Sequence, residues 1–242
     1  MKSLGIDTST TIFSICLCED EKIFHELRCE RSFYKNSRDA GFFNTVENLI
    51  KSLDNAHLDA IALTLGPGMF TSLRVGLAFA KGLYFSQNIP LYGVNTLEVI
   101  AKSFPVFDFV KGNQNKTIVA AVLEAFQKEF FVAFYNSNSR IGDDLLITPE
   151  GFVSYVYQKF KKDALIVAIG PGIQILKENK IIKKNLQNTN RLIMLDSDLY
   201  FPSASKVVKV ALPRIRSKKY DNPDLLEPYY IKKTSAEIKA GN

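Results

Sequence analysis

The chain has 242 residues, enough for one large domain or two small ones at roughly 100–200 residues per domain. Its 46% hydrophobic and 23% charged residues exclude wholesale disorder. The net charge of +6 is uneven: residues 1–205 hold 22 basic and 21 acidic side chains and residues 206–242 hold 9 and 4, which excludes a uniformly basic nucleic-acid-coating protein.

No secretory leader is expected, because Asp7 interrupts the first apolar run. No stretch approaches the roughly 18–20 apolar residues of a membrane span. The three cysteines, Cys16, Cys18 and Cys29, form no C-x-x-C pair, so neither a disulfide framework nor a zinc site is supported. A reducing cytoplasm fits.

Residues 4–6 predict a strand, followed by the polar turn Asp7-Thr8-Ser9-Thr10. A second strand over 12–18, a charged turn at 19–22 and a third strand over 23–28 complete an antiparallel meander. Cys16 and Cys18 share one strand face there, as buried thiols. After a polar loop, Phe42, Phe43, Val46, Leu49, Ile50 and Leu53 follow the spacing of an amphipathic helix. Residues 60–65 are a continuous apolar run, as in a buried strand, and end in Gly66-Pro67-Gly68. A helix over 71–85 and a short strand over 91–94 come next. Asn95 with Glu98 predicts a capping box that opens a helix to about residue 104.

Residues 105–115 form a polar loop with Gly112 and predict a boundary between domains 1–104 and 105–242. The pattern then restarts. Strands over 117–123 and 129–135 flank a turn, and an apolar strand over 165–169 ends in Gly170-Pro171-Gly172, an echo of Gly66-Pro67-Gly68. We read an internal duplication. Residues 192–195 predict a last strand. Ser203 or Ser205 caps a helix carrying Val207, Val208, Val210, Ala211 and Leu212, which Pro213 is expected to break.

Several chemistries lack their motifs. There is no G-x-x-x-x-G-K-[ST] loop, no G-x-S-x-G elbow and no H-E-x-x-H. The two histidines, His25 and His57, have no partner at ligand spacing, so a metal site is not expected. Two features remain. The turn Asp7-Thr8-Ser9-Thr10 is either a phosphate-binding turn with Asp7 ordering a metal-bound water, or a plain β-turn rich in Asp and Ser. Gly66-Pro67-Gly68 permits a tight turn at the carboxyl end of a buried strand, where the next helix would point its free N–H groups at a ligand. Gly76 and Gly82 each cost that helix about 1 kcal/mol relative to Ala, which suggests a close neighbour.

The segments Leu4-Gly5-Ile6-Asp7-Thr8-Ser9 and Gly66-Pro67-Gly68-x-Phe70-Thr71-x-Leu73-Arg74-Val75-Gly76-Leu77 resemble the TsaB (YeaZ) family. That family opens on "AIDTS/AT" and carries "GPGSFTGLRIG". The match extends to Ala80-Lys81-Gly82-Leu83 and Val94-Asn95-Thr96-Leu97, and more loosely to Pro202-Ser203-Ala204 and Pro228-Tyr229-Tyr230-Ile231. The resemblance implies the α/β actin-like ATPase superfold, two duplicated domains with mixed sheets. It implies a role in making threonylcarbamoyladenosine in tRNA by pairing with the catalytic paralogue TsaD and recruiting the ATPase TsaE; the family pairs with TsaD or with itself, and for the isolated chain homodimer and monomer both stay open.

The chain departs from the pattern in three places. Met69-Phe70-Thr71-Ser72 stands for Ser-Phe-Thr-Gly, Asn36-Ser37 for the usual His, and Glu124-Ala125-Phe126 for Asp-Ala-Arg. An actin-like ATPase grips phosphates with one turn per domain, each built of small residues. The second turn here has no glycine and a bulky Phe126. The expectation is a scaffold with no catalytic residues, no metal, no tightly bound cofactor and no ATP hydrolysis of its own, ATP being used by the complex. Asp7, Thr8, Ser9 and Thr10 would be a degenerate phosphate loop. The partner interface would comprise Phe42, Phe43, Val46, Leu49 and Ile50 on the first helix with Ser72, Leu73, Gly76, Leu77 and Ala80 on the second. The alternative is an actin-like ATPase or small-molecule kinase using Asp7, with Gly170-Pro171-Gly172 near adenosine. A metalloprotease is disfavoured. The basic residues Lys206, Lys209, Arg214, Arg216, Lys218 and Lys219 are either a solvated tail or a contact to tRNA phosphates.

Overall fold

The computed structural model describes residues 1–30, 57–103, 116–126, 128–137, 139–187 and 189–231. The helix expected over 42–53 lies outside them, and with it the interface candidates Phe42, Phe43, Val46, Leu49 and Ile50. The chain divides into two compact units. One comprises Met1–Val99 with Pro202–Tyr229, and the second contains Ile100–Phe201.

In the first unit, β1 (Lys2–Asp7), β2 (Ile12–Glu19) and β3 (Lys22–Glu30) form the expected antiparallel meander. β4 (Ala60–Gly66) and β5 (Leu91–Asn95) add in parallel beside β1, giving the order β3-β2-β1-β4-β5. Helix α1 (Phe70–Gln87) connects the two parallel strands. Helix α2 (Thr96–Lys102) opens where Asn95 Oδ1 accepts the N–H groups of Leu97 at 2.8 Å and Glu98 at 3.1 Å.

The second unit repeats this order. β6 (Thr117–Glu124), β7 (Phe130–Tyr135) and β8 (Arg140–Ile147) are antiparallel. Helix α3 (Pro149–Lys159) follows. β9 (Leu165–Ile169) and β10 (Leu192–Leu195) add in parallel beside β6, with helix α4 (Ile173–Glu178) after β9. The sheet order β8-β7-β6-β9-β10 superposes element for element on that of the first unit, so the duplication read from the glycine-proline turns extends to the whole sheet topology. Sequence reasoning missed β8 and α3.

The first unit has three layers. Leu4, Ile6, Ile61 and Leu63 pack against Leu77 and Ala80 of α1. On the opposite sheet face, Cys16, Cys18, Ala60 and Ala62 pack against Ala204, Val207, Val208, Ala211 and Ile215 of helix α5 (Ala204–Arg216). The period of two in β4 explains both layers: the large side chains meet α1 and the alanines leave room for α5. Gly5 serves the same purpose, since a Cβ there would collide with the carbonyl oxygen of Ala204. Cys16 and Cys18 are buried on one face as expected, with their sulfurs 3.5 Å apart.

Helix α5 corrects the expected division at residue 105, because a helix remote in sequence completes the first unit. It also corrects two local expectations. Ser203 occupies the N-cap position, but its hydroxyl pairs with the Ser205 hydroxyl rather than with the helix. The opening N–H groups donate instead across the sheet, Ala204 to Ser14 Oγ at 2.8 Å and Ser205 to Glu26 Oε1 at 2.9 Å. Pro213 does not end the helix, which runs on to Arg216.

The segment after α5 is pinned to the same unit. Arg214 donates to Asp221 Oδ1 at 2.6 Å and to the Gly93 carbonyl at 2.9 Å. Asp221 Oδ2 accepts the Gly93 N–H at 2.7 Å, and the Asp221 N–H bonds to Leu91 O at 2.9 Å. Leu226 enters the core below α1, and the Tyr229 N–H donates to Leu65 O at 2.7 Å.

Candidate functional site

The turn between β1 and β2 and the glycine-proline turn after β4 meet at the carboxyl ends of the two central parallel strands. Asp7 is fully buried, at 0% exposure. Its Oδ1 accepts the Ser9 hydroxyl at 2.7 Å, the Thr64 hydroxyl at 2.9 Å and the Ser9 N–H at 3.2 Å. Its Oδ2 has no hydrogen-bond partner. Burial pushes the carboxyl above its ordinary value, against the hydrogen bonds from Ser9 and Thr64 and the Arg28 charge, which favour ionisation. Thr8 donates its N–H to Thr64 Oγ1 at 3.3 Å. The Thr10 hydroxyl closes a local turn with Ile12.

The second turn lies directly on the first. The Met69 N–H donates to Ser9 O at 2.9 Å. A Cβ on Gly68 would collide with Ser9 O, and one on Gly76 would lie 2.6 Å from Thr8 Oγ1. Gly66 has φ +125°, a region that favours glycine, and a Cβ there would lie 2.5 Å from Tyr229 O. Pro67 follows it through a cis peptide bond. Three of the family-motif glycines are therefore places where backbone or side chain must approach within contact distance. Phe70 and Arg74, also in the motif, stack with the guanidinium 3.7 Å from the ring centre.

The expected interface residues of α1 lie on its inner side. Leu73, Gly76, Leu77 and Ala80 are buried by their own unit, and Ser72 is half-buried. The outer face carries Thr71, Arg74, Val75, Ala78, Gly82 and Phe85, with Val75 41% and Phe85 69% exposed. Val75, Ala78, Gly82 and Phe85 follow a 3-4-3 spacing, so they form one apolar stripe. A Cβ on Gly82 would meet nothing within 4 Å. This stripe was missed because α1 is apolar on both sides, and only its burial separates the faces.

In the second unit the corresponding turn is a tight hairpin. Ala125 donates to Glu129 O at 3.1 Å, and Phe126 projects outward at 85% exposure. The Gly172 N–H donates to Val122 O at 3.1 Å, and Gly170 has φ +111°.

The six candidate basic residues of 206–219 lie on α5 and the segment that follows it, not in a tail. Lys206 is half-buried. Burial and the Arg28 charge lower its amine to about 8, while Glu26 and Asp7 pull the other way. Lys206 and Lys209 line a hollow with Asp20 and Glu21. Arg216 lies 3.9 Å from both of those acids, and Arg214 is held in the clamp to Asp221. Lys218 and Lys219 are exposed. Among the described residues no three His, Cys, Asp or Glu side chains converge as metal ligands, and no helix is long and apolar enough to cross a membrane.

Two repeated five-stranded mixed sheets of the same strand order, each with a glycine-proline turn after a central parallel strand, define an α/β protein of the actin-like ATPase type. The family model described as TsaD, tRNA N6-adenosine threonylcarbamoyltransferase, matches residues 42–240. The tRNA threonylcarbamoyladenosine biosynthesis protein TsaB of Escherichia coli is 24% identical over 98% of this chain and 96% of its own length. A tRNA N6-adenosine threonylcarbamoyltransferase of Neorickettsia sennetsu is 34% identical, but over only 39% of this chain and 32% of its own. The structure of YeaZ from Pseudomonas aeruginosa matches with a TM-score of 0.68 at 21% identity, covering 95% of this chain and 99% of that one. The chain belongs to the family of that TsaD model, and the TsaB and YeaZ proteins are among those it resembles over nearly its whole length.

Proposed function

We propose that this chain is a non-catalytic subunit in tRNA threonylcarbamoyladenosine biosynthesis. It pairs with a TsaD-type paralogue in the cytoplasm, helps to recruit a TsaE-type ATPase, and hydrolyses no ATP itself. When alone it pairs with a second copy. The TsaB relatives carry this biosynthesis in their name.

The observation that carries the reading is the closed turn around Asp7. A phosphate-binding turn needs N–H groups aimed outward. Here the Thr8 and Ser9 N–H groups go to Thr64 and Asp7, and Gly68 lies over the Ser9 backbone. Burial disfavours the charged form of Asp7, the form that would order a metal-bound water. The two turns thus act as a brace that sets α1 on the sheet. The outer stripe of α1 then supplies the pairing surface, and Gly82 lets a partner's backbone come close. Exposed apolar stripes of this kind mark interaction sites.

Titration calorimetry of the chain alone with ATP and magnesium tests the non-catalytic part. The expected result is no micromolar binding. Micromolar binding abolished by Asp7→Ala overturns the proposal in favour of an actin-like ATPase or small-molecule kinase. Copurification with the TsaD- and TsaE-type proteins, with and without ATP, tests the pairing.

A further inference from the structure

The second unit carries a concentration of positive charge that the proposed function has not used. Residues 157–191 contain eight Lys or Arg and two Asp or Glu, a net +6 that equals the excess of the whole chain. The other 207 residues are neutral, with 23 charges of each sign. Residues 206–242, at net +5, are therefore one of two basic stretches in the chain. In that segment Arg214 and Arg216 face carboxylates of their own unit.

Lys177 is paired with Asp196, and part of the remaining charge lies at the carboxyl end of α3. Lys159 closes that helix, and Lys161 follows it. Together with Lys116, Phe160 and Asp163 they line a concavity of about 270 Å³. Asp163 lies 2.8 Å from Lys116 Nζ, so this acid is neutralised within the hollow. Lys159, Lys161 and Lys162 have no carboxylate within ion-pair distance among the described residues. Behind them Arg191 is buried, its Nη2 donating to the Lys161 carbonyl at 2.9 Å. Its Nε has no hydrogen-bond partner. Its guanidinium lies 5.0 Å from the Tyr157 ring centre, and Tyr157 is 46% exposed. The Tyr157 hydroxyl donates to Asn185 O at 2.6 Å, which ties the segment carrying Lys183 and Lys184 to α3.

A buried guanidinium with no carboxylate in ion-pair reach among the described residues raises the positive potential of the surface above it. Lysines that outnumber the one acid of a concavity, with a half-exposed aromatic ring at the edge, fit a nucleic-acid backbone with one face for stacking. An acidic protein partner would require a broad apolar centre ringed by charge, whereas Ile118, Phe160 and Ala164 supply only a small apolar part of this hollow beside four charged side chains. We propose that this face, made by Lys159, Lys161, Lys162, Lys184 and Arg191 around Tyr157, binds the phosphate backbone of RNA. The identity of that RNA as the tRNA being modified rests on the function proposed above.

The test uses fluorescence anisotropy with a full-length unmodified tRNA transcript. The titrants are the purified full chain and its complex with the TsaD-type paralogue. The variant K159Q/K161Q/K162Q removes three charges from this face, and K209Q/K218Q/K219Q removes three from the first unit. All six side chains lie on the surface, and equal thermal midpoints confirm folding. The face variant is expected to lose tenfold or more in affinity, and its salt slope is expected to fall by about 2–3, at about 0.7–0.9 per phosphate contact. The reference variant should change less than twofold. Equal losses in the two variants, an unchanged salt slope, or equal competition by polyglutamate of matched charge would overturn the proposal. Cells that lack this chain yet keep normal threonylcarbamoyladenosine would overturn the underlying reading alone. The anisotropy of the purified chain would still decide whether this face binds RNA.

Discussion

Gly76 and Thr8 are in contact, and a Cβ at position 76 would lie 2.6 Å from Thr8 Oγ1. The helix that offers its outer stripe to solvent is thereby seated, through its inner glycine, on the turn that follows the first strand. Gly76→Ala should destabilise the first unit by about 1–3 kcal/mol, the usual range for overpacking. Thr8→Ala in the same chain should recover part of that loss. Gly82→Ala should instead stabilise by about 0.5–1 kcal/mol through helix propensity, while weakening the pairing. Urea unfolding of the three variants measures the stability effects.

The two faces of α1 should separate fold from function. Leu73→Ala empties a buried site and should cost about 2–5 kcal/mol of stability. Val75→Arg with Phe85→Asp changes only exposed positions, so the thermal midpoint should move little. Copurification with the TsaD-type paralogue should fall at least tenfold in the double variant and persist in Leu73→Ala below its melting temperature.

Asp7 and Lys206 give stability opposite slopes with pH. Because burial raises the folded-state value of Asp7, the unfolded chain releases its proton first. Stability from this group is present below about pH 3.8, the ordinary carboxyl value, and is lost as pH rises toward the raised one. Asp7→Asn should remove that decline. Lys206 is lowered to about 8 from 10.5, so the folded chain deprotonates first and stability rises with pH across that window. Lys206→Met should flatten the rise. Denaturant midpoints recorded against pH, taken as differences from the parent chain, read both effects.

The clamp between Arg214, Asp221 and Gly93 should hold the last described segment on the first unit. Asp221→Ala removes two charge-assisted hydrogen bonds, at a cost of about 1–3 kcal/mol. Hydrogen exchange at the Tyr229 amide should accelerate at least tenfold, and trypsin should cut after Lys218 and Lys219. The core helix α1 should keep its protection.

Most strands were legible because their signals are local. The meander, the apolar run of β4 and the Asn95 cap each follow from a few adjacent residues, and the repeated glycine-proline turns exposed the duplication. β8 was missed because Asp143 and Asp144 break its alternation and Gly142 sits at φ +70°. α3 left a readable trace that was passed over: Thr148 caps it with Oγ1 accepting the Gly151 N–H at 3.2 Å, and Pro149 opens it. The division of the chain failed for a different reason. Nothing near Ala204 shows that Gly5, Ser14 and Glu26, some 180–200 positions away, receive its helix. In the candidate site, the residue types of the two turns were readable, but the direction of the α1 side chains was not, since small and apolar residues occupy both faces.

The central claim is that this chain acts through its surface and not through the Asp7 turn. The most direct measurement is the threonylcarbamoyladenosine content of tRNA, by nucleoside mass spectrometry, in cells depleted of the chain and supplied with a variant. The account predicts that Asp7→Asn restores the modification to the parental level and that the Val75→Arg, Phe85→Asp double variant does not. Failure of a folded, pairing-competent Asp7→Asn chain to restore it, or full restoration by the double variant, would contradict the account.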